Sequence, residues 1–317
     1  MNRGYTSSAV HKPKRSLTHL QHRIRLVWPL YLFLLPCLAY YCIFKYLPIY
    51  GIQIAFRDYN VRLGFFNSPW AGLKYFSRFF KSASCWTVIR NTISLSLLNI
   101  AITFPIPVIF ALLLNQVRHI RYKKFIQTVS YAPYFISVVV LVGMIQILLS
   151  PSYGLVNHII AALGGARVFF LARPEAFPWI YVLSAVWQTT GYNSIIYIAA
   201  LSNVNPELHE AATIDGASQF QRVIHIDFPS ILPTAIIMLI LATGQLLSVG
   251  YEKVYLLQNA INQPVSEIIS TFVYKRGILR GEFSYATAIN LFQSAINVLI
   301  LLSVNKLAKK VSDSSLF

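Results

Sequence analysis

The chain has 317 residues, of which 56% are hydrophobic and 12% charged, with a mean hydropathy of +0.56. Soluble domains carry about 25% charged residues, so this composition excludes both a soluble pair of domains and a disordered chain, and the expected class is an all-α polytopic membrane protein. The net charge of +17 comes from basic residues that flank apolar runs, a distribution suited to phospholipid head groups and the cytoplasmic face rather than to nucleic acid.

In chain order, a basic tail over residues 1–25 leads into the first apolar run. That run is too long for the core of a signal peptide and no small-residue cleavage site follows it, so the tail is expected to stay cytoplasmic. A helix needs about 20 apolar residues to cross a hydrocarbon layer roughly 30 Å thick. Six segments reach that length, residues 26–47, 92–114, 125–149, 179–201, 231–249 and 285–304, within one transmembrane domain over 26–310 that is followed by a short tail, 311–317. An even number of spans places the C-terminus in the cytoplasm as well. Of the Lys and Arg residues, 14 then fall in 77 inner residues and 12 in 108 outer ones, and the clearest inner cluster is VRHIRYKK between spans two and three. Pro36, Pro105, Pro107 and Pro133 lie inside spans, where each removes a backbone hydrogen bond and kinks the helix, either as a hinge or only as a packing device. Cys37, Cys42 and Cys85 form no metal or disulfide pattern, and no metal site is expected.

The sequence is as informative in what it lacks. No GxxxxGK[ST] phosphate loop occurs, so if ATP drives this protein another subunit must bind it. All ten acidic residues fall outside the six spans, and Lys45 is the one charge within a span, near an end where it can snorkel. A proton-coupled carrier is disfavoured; an ion-coupled secondary carrier or channel built on carbonyls and hydroxyls stays open as the alternative. Seven scattered histidines make no HExxH or other ligand spacing, and no catalytic residues are assigned.

The inner loop over residues 202–230 is the most specific segment. Asn205-Pro206-Glu207 predicts a helix start, with a capping amide, proline at the first helical position and an acid at the positive end of the dipole. Asp215-Gly216 predicts a turn, and Phe220, Val223 and Ile224 recur as one face of a second helix before Pro229 and Pro233 mark re-entry into the bilayer. A helix of about ten residues gains little alone in water. Its host is either a partner's groove or the chain's own bundle.

Glu210-Ala211-Ala212, three residues, Gly216, nine residues, Ile226, one residue, then Phe228-Pro229 resembles the EAA motif of bacterial ABC importer permeases, with Phe228 where the family has leucine. The stretches WQTTGYNSIIYIAALSNVNPELHEAATIDGASQFQ, APYFISVVVLVGM and VYLLQNA, with FSYATAINLFQSAINVLILLSVNKLAKK, resemble the carbohydrate branch, and within it the polysaccharide and oligosaccharide type that includes the alginate importer. The resemblance implies a type I permease fold of six transmembrane helices in the bacterial cytoplasmic membrane, working by alternating access. It further implies a second, usually different, permease subunit, two ATP-binding subunits that hold ATP and Mg, an extracytoplasmic solute-binding protein and a saccharide substrate, with no cofactor in this chain. Glu210, Ala211, Ala212, Asp215 and Gly216 would then form the coupling helix and its turn, seated on the ATPase.

The pathway is expected among polar residues on otherwise apolar spans: Gln146; Trp187, Gln188, Thr189, Tyr192 and Asn193; Gln245 and Ser248; Asn290, Gln293 and Asn297. Sugars take amide hydrogen bonds and aromatic faces, which Trp187-Gln188 and Tyr192-Asn193 offer together. Asn290, Gln293 and Asn297 share one helix face. The competing account of each is a hydrogen bond between helices, typically worth about 0.6 kcal/mol. The outer segments net +7, a balance that suits an anionic sugar such as a uronate oligomer, or an acidic face on the binding protein.

Overall fold

The structure, a computed structural model, describes residues 17–248 and 250–311. The expectations for residues 1–16 and 312–317, and for position 249 at the end of the fifth span, lie outside the described residues. Among the described residues the chain is helical, and its one piece of β pairing is an isolated bridge between Arg57 and Trp70. The all-α expectation holds.

Two compact units divide after Gln53. The first is built on α1 (Leu17–Tyr41), which loosens into a wider turn over Cys42–Tyr46. Its apolar residues, among them Phe33, Phe44 and Tyr46, are exposed, as expected of a helix whose solvent is lipid or another subunit.

The second unit carries α2 (Ala83–Thr103) and α3 (Pro105–Asn115), which together form a run of 33 residues. They are separated at Phe104 because Pro105 has no N–H to continue the ladder. Next come α4 (Ile120–Tyr131) and α5 (Val138–Leu148). The third expected span, 125–149, is thus not one straight helix: its halves meet at 99°. Local chemistry explains the break. Pro133 donates no backbone hydrogen bond, and Ser137 starts a new helix by accepting from the Val140 N–H at 3.4 Å. The proline signalled a kink; the serine cap turns it into a corner.

α6 (Phe177–Leu201) is 25 residues long, enough to cross a bilayer, but the polar stretch from Gln188 to Ser194 sets it apart from the most apolar helices. α7 (Pro206–Ile214) follows after a short turn, and then α8, a continuous helical run over Gln219–Gly244. α8 begins well before residue 231, where the fifth span was expected, so Asp227 lies inside an apolar helix rather than in a loop. The chain ends with α9 (Tyr251–Leu257), α10 (Ile269–Tyr274) and α11 (Phe283–Val311). Among the described residues, four helical runs are long and apolar enough to cross a membrane, five if the bent α4–α5 pair counts as one span.

α6 organises the packing. Phe177, Tyr181 and Val182 pack with Leu95 of α2, Leu141 and Ile145 of α5, and Val254 and Leu257 of α9. Towards its other end, Tyr197 and Leu201 pack with Val108 and Ala111 of α3 and with Ile231 and Ala235 of α8. Between these two clusters Gly191 lets α4 come close: a Cβ there would sit 2.1 Å from the Ser130 carbonyl oxygen. The polar middle of α6 is therefore held between two apolar cores.

Candidate functional site

The polar middle of α6 faces a cavity of about 560 Å³. Gln188, Thr189 and Asn193 supply one wall, Asn99 and Thr103 of α2 another, and residues 250–253 at the start of α9 close an end. Amides and hydroxyls converge there from three helices, the donor and acceptor set that a polyhydroxylated solute needs. Gln188 is fixed by its Nε2, which donates to the Ile136 carbonyl at 3.0 Å, the carbonyl freed where α4 and α5 part. The corner in the third segment thus positions a cavity side chain.

The other residues expected along the pathway go elsewhere. Trp187 is exposed and lies outside the cavity, turned away from Gln188 by one helical position. Tyr192 stacks on Tyr134 with ring centroids 3.7 Å apart. Gln146 donates to the Leu256 carbonyl at 3.4 Å and so ties α5 to α9. Asn290 lines a separate hollow of about 440 Å³ with Tyr251 and Tyr274. Gln245 is exposed just past the end of α8.

Gln293 and Asn297 share a face of α11 as expected, but they serve the backbone. Gln293 Nε2 donates to the Leu247 carbonyl at 2.7 Å, Asn297 Oδ1 accepts from the Leu247 N–H at 3.0 Å, and Asn297 Nδ2 donates to Ser248 Oγ at 2.9 Å. α8 stops at Gly244 inside the bundle, and an unpaired backbone there would cost more than an ordinary interhelical contact. In this structure both side chains are engaged in hydrogen bonds between helices.

Three cavity residues escaped the sequence reading. Asn99 and Thr103 were detectable as polar positions in an apolar span. Lys253 was passed over because it lies between spans; it is only 7% exposed, its Nζ donates to the Tyr181 carbonyl at 2.9 Å, and it lies 4.7 Å from the centre of the Tyr181 ring. Burial pushes its pKa down from 10.5 to about 7.

At the other end of α6 the turn and α7 form as the residues dictate. Asn205 Oδ1 accepts from the Glu207 N–H at 3.1 Å and Pro206 takes the first helical position. α7 ends with Gly216 at φ +78°, while the Gly216 N–H reaches the Thr213 carbonyl at 3.1 Å and the Ala217 N–H the Ala212 carbonyl at 2.9 Å. That pair of bonds is a Schellman cap, which needs a left-handed residue at the position Gly216 holds. Ser218 then starts α8 through a reciprocal cap with Gln221.

Glu210, Ala211, Asp215 and Gly216 are exposed along this elbow. Ala212 is half-buried and instead faces the chain's own α8 across a cleft of about 220 Å³, where Arg222 Nη1 donates to Thr213 Oγ1. Apolar side chains stand out beside them: Ile214 is 87% exposed and Phe220 73%. Behind α7, His209 Nε2 lies 3.1 Å from Oδ1 of the fully buried Asp227, a close polar contact without hydrogen-bond alignment. Gln116, just past α3, donates to Asp227 Oδ2 at 2.8 Å and accepts from Gln219 at 3.1 Å. A short helix with an apolar outer edge is thereby fastened to α3 and α8.

The sequence model of the binding-protein-dependent transport system inner membrane component family matches residues 88–313. The chain is 43% identical over 288 residues to the polygalacturonan/rhamnogalacturonan transport system permease protein YteP of Bacillus subtilis (strain 168), covering 91% of this chain and 90% of that one. Among solved structures it is similar to a chain of a bacterial ABC transporter involved in the import of the acidic polysaccharide alginate, with a TM-score of 0.85, 36% identity, and 93% and 99% of the two chains covered. It is also similar to a chain of the bacterial alginate ABC transporter in complex with an alginate pentasaccharide-bound periplasmic protein, with a TM-score of 0.86, 35% identity, and 94% and 100% covered.

Proposed function

Because the chain belongs to the binding-protein-dependent transport system inner membrane component family, we propose that it works as one of two permease subunits whose cavities together pass an oligosaccharide across the bacterial cytoplasmic membrane. It is a transmembrane permease subunit of a sugar ABC importer, of one family with the permease relatives above. The substrates named for those relatives, polygalacturonan/rhamnogalacturonan and alginate, point to a fragment of a polysaccharide as the cargo.

Both termini face the cytoplasm in this reading, which puts α7 on the same side as the motor. Separate ATP-binding subunits hold and hydrolyse ATP with Mg; this chain contributes no catalytic group. The loaded extracytoplasmic binding protein docks on the opposite face and delivers the sugar to the cavity beside α6. Closure of the nucleotide-binding pair moves α7, and the cavity changes the side on which it opens. For ATP and loaded binding protein to act together, both must favour the same state of the permease.

The observation that carries this reading is the outward display of Ile214 and Phe220 on an elbow whose inner side is already fastened by His209 and Asp227. Two large apolar side chains left exposed on one short capped elbow are the kind of feature that supports a protein contact there. Replacing Ile214 by Asp is expected to leave the protein in the membrane and to abolish co-purification of the ATPase. Unchanged co-purification and uptake in that variant would overturn the docking role.

A further inference from the structure

We propose that Lys253 is the group in the cavity beside α6 that recognises the carboxylate of an acidic sugar, so that the cargo is a uronate-bearing oligosaccharide. The inference rests on the reading of the chain as a saccharide importer subunit and names the substrate class for that same cavity.

The argument starts from where α9 puts the lysine. Val254 and Leu257 anchor this short helix in the apolar core, and the position before Val254 is drawn into the bundle with them. The ammonium is buried, and among the described residues no carboxylate lies within ion-pair distance of it. Glu252 lines the same cavity and is exposed, but adjacent residues on a helix point about 100° apart and do not face each other. A buried cation is costly unless it is paired.

The lysine is also surplus to the fold at the one hydrogen bond it makes. The Tyr181 carbonyl to which it donates already accepts Ser184 Oγ at 3.0 Å, so no buried acceptor depends on the ammonium. Three donors are available on Nζ and one is used, which leaves two for a ligand at the cavity wall. Around it stand the uncharged groups Asn99, Thr103, Gln188 and Thr189, which match sugar hydroxyls but offer nothing for an anion. A carboxylate entering here gives the ammonium the ionic partner it lacks, and that pairing favours the charged form which burial alone disfavours.

The test uses the complete importer, expressed with its partner subunits in a host lacking other uptake for the probes. The probes are labelled digalacturonate and its carboxyl-reduced counterpart, each supplied at a concentration that saturates the binding protein. Lys253→Met is expected to lower digalacturonate uptake at least tenfold and to change uptake of the reduced sugar by less than twofold, with ATPase stimulation by loaded binding protein retained. Lys253→Arg, which keeps the charge, is expected to retain most digalacturonate uptake. Equal loss of both probes, or loss of neither, would overturn the assignment. Absence of both variants from the membrane would assign the lysine to folding and overturn it as well. A wild-type importer that carries neither probe would overturn the assignment too, without touching the broader saccharide reading.

Discussion

Gly216 offers the cleanest perturbation of the elbow because its two roles separate. Its φ of +78° lies in the left-handed region, so any L side chain there is strained by roughly 1–2 kcal/mol, and asparagine by less. A Cβ built on it meets nothing within 4 Å in this chain. Backbone strain is therefore the intramolecular cost at Cβ, and that strain is nearly the same for Ala and for Trp. The series Gly216→Asn, Gly216→Ala and Gly216→Trp should lower the thermal stability of the purified permease slightly for Asn and by about 1–2 kcal/mol for both Ala and Trp. Uptake and ATPase co-purification should follow a different order, near wild type for Asn, reduced a few-fold for Ala and lost for Trp, because only the bulk of the indole reaches a surface outside the chain. If the Trp variant retained the uptake of the Ala variant, the elbow would be touching nothing, and the docking argument would be wrong.

Gly191→Ala should be damaging for the opposite reason, since its Cβ would lie 2.1 Å from a backbone oxygen of α4 that cannot rotate away; about 3 kcal/mol of destabilisation is expected, read as loss of protein from the membrane fraction. His209→Leu leaves the buried Asp227 carboxylate with Gln116 as its remaining close partner, at a cost of about 1–3 kcal/mol, and should lower uptake per ATP hydrolysed; a pure stability effect would scale both rates equally. The titration of Lys253 gives a pH dependence with a definite sign. Its folded pKa of about 7 lies below the usual 10.5, so the unfolded chain holds the extra proton between those values and stability rises with pH across that window. Recognition of a carboxylate runs the other way: digalacturonate uptake should decline as pH rises from 7 to 9 while Lys253→Arg stays flat, the nearby ionisable groups of the cavity being Glu252, Tyr181 and Tyr251.

What the sequence made legible was local. The start of α7 at Asn205-Pro206 and its stop at Gly216 are set by residues within one turn of each end, so capping rules alone located the elbow. The corner between α4 and α5 was only half legible. Hydropathy over 125–149 measures how greasy a segment is and carries no direction, whereas Pro133, read only as a kink, and Ser137, whose capping role went unread, carry it. The pathway residues were the hardest, because a polar side chain on an apolar helix has the same appearance whether it meets sugar or backbone. Gln293 and Asn297 are decided by where α8 happens to end, a fact of tertiary structure that periodicity along α11 does not contain.

The path of force follows from the same contacts. α6 carries Gln188, Thr189 and Asn193 at the cavity, and it ends at Leu201, four residues before α7 begins. A displacement of α7 would be absorbed by that turn if the turn were the sole connection. It is not, because Asp227 holds α7 through His209 while Gln116 holds the same carboxylate from the end of α3, and α8 continues from Asp227 into the bundle. Tyr197 and Leu201 pack against α3 and α8 one layer further in. Motion of the elbow is thus imposed on three helices at once, and packed helices respond by shifting as units rather than by bending. Gly191 marks where α6 next meets α4, in a contact so close that α6 cannot slide there without moving the corner whose Ile136 carbonyl fixes Gln188. The cavity wall and the elbow are therefore joined by a continuous run of packed contacts, the connection that the proposed coupling to an ATPase would use.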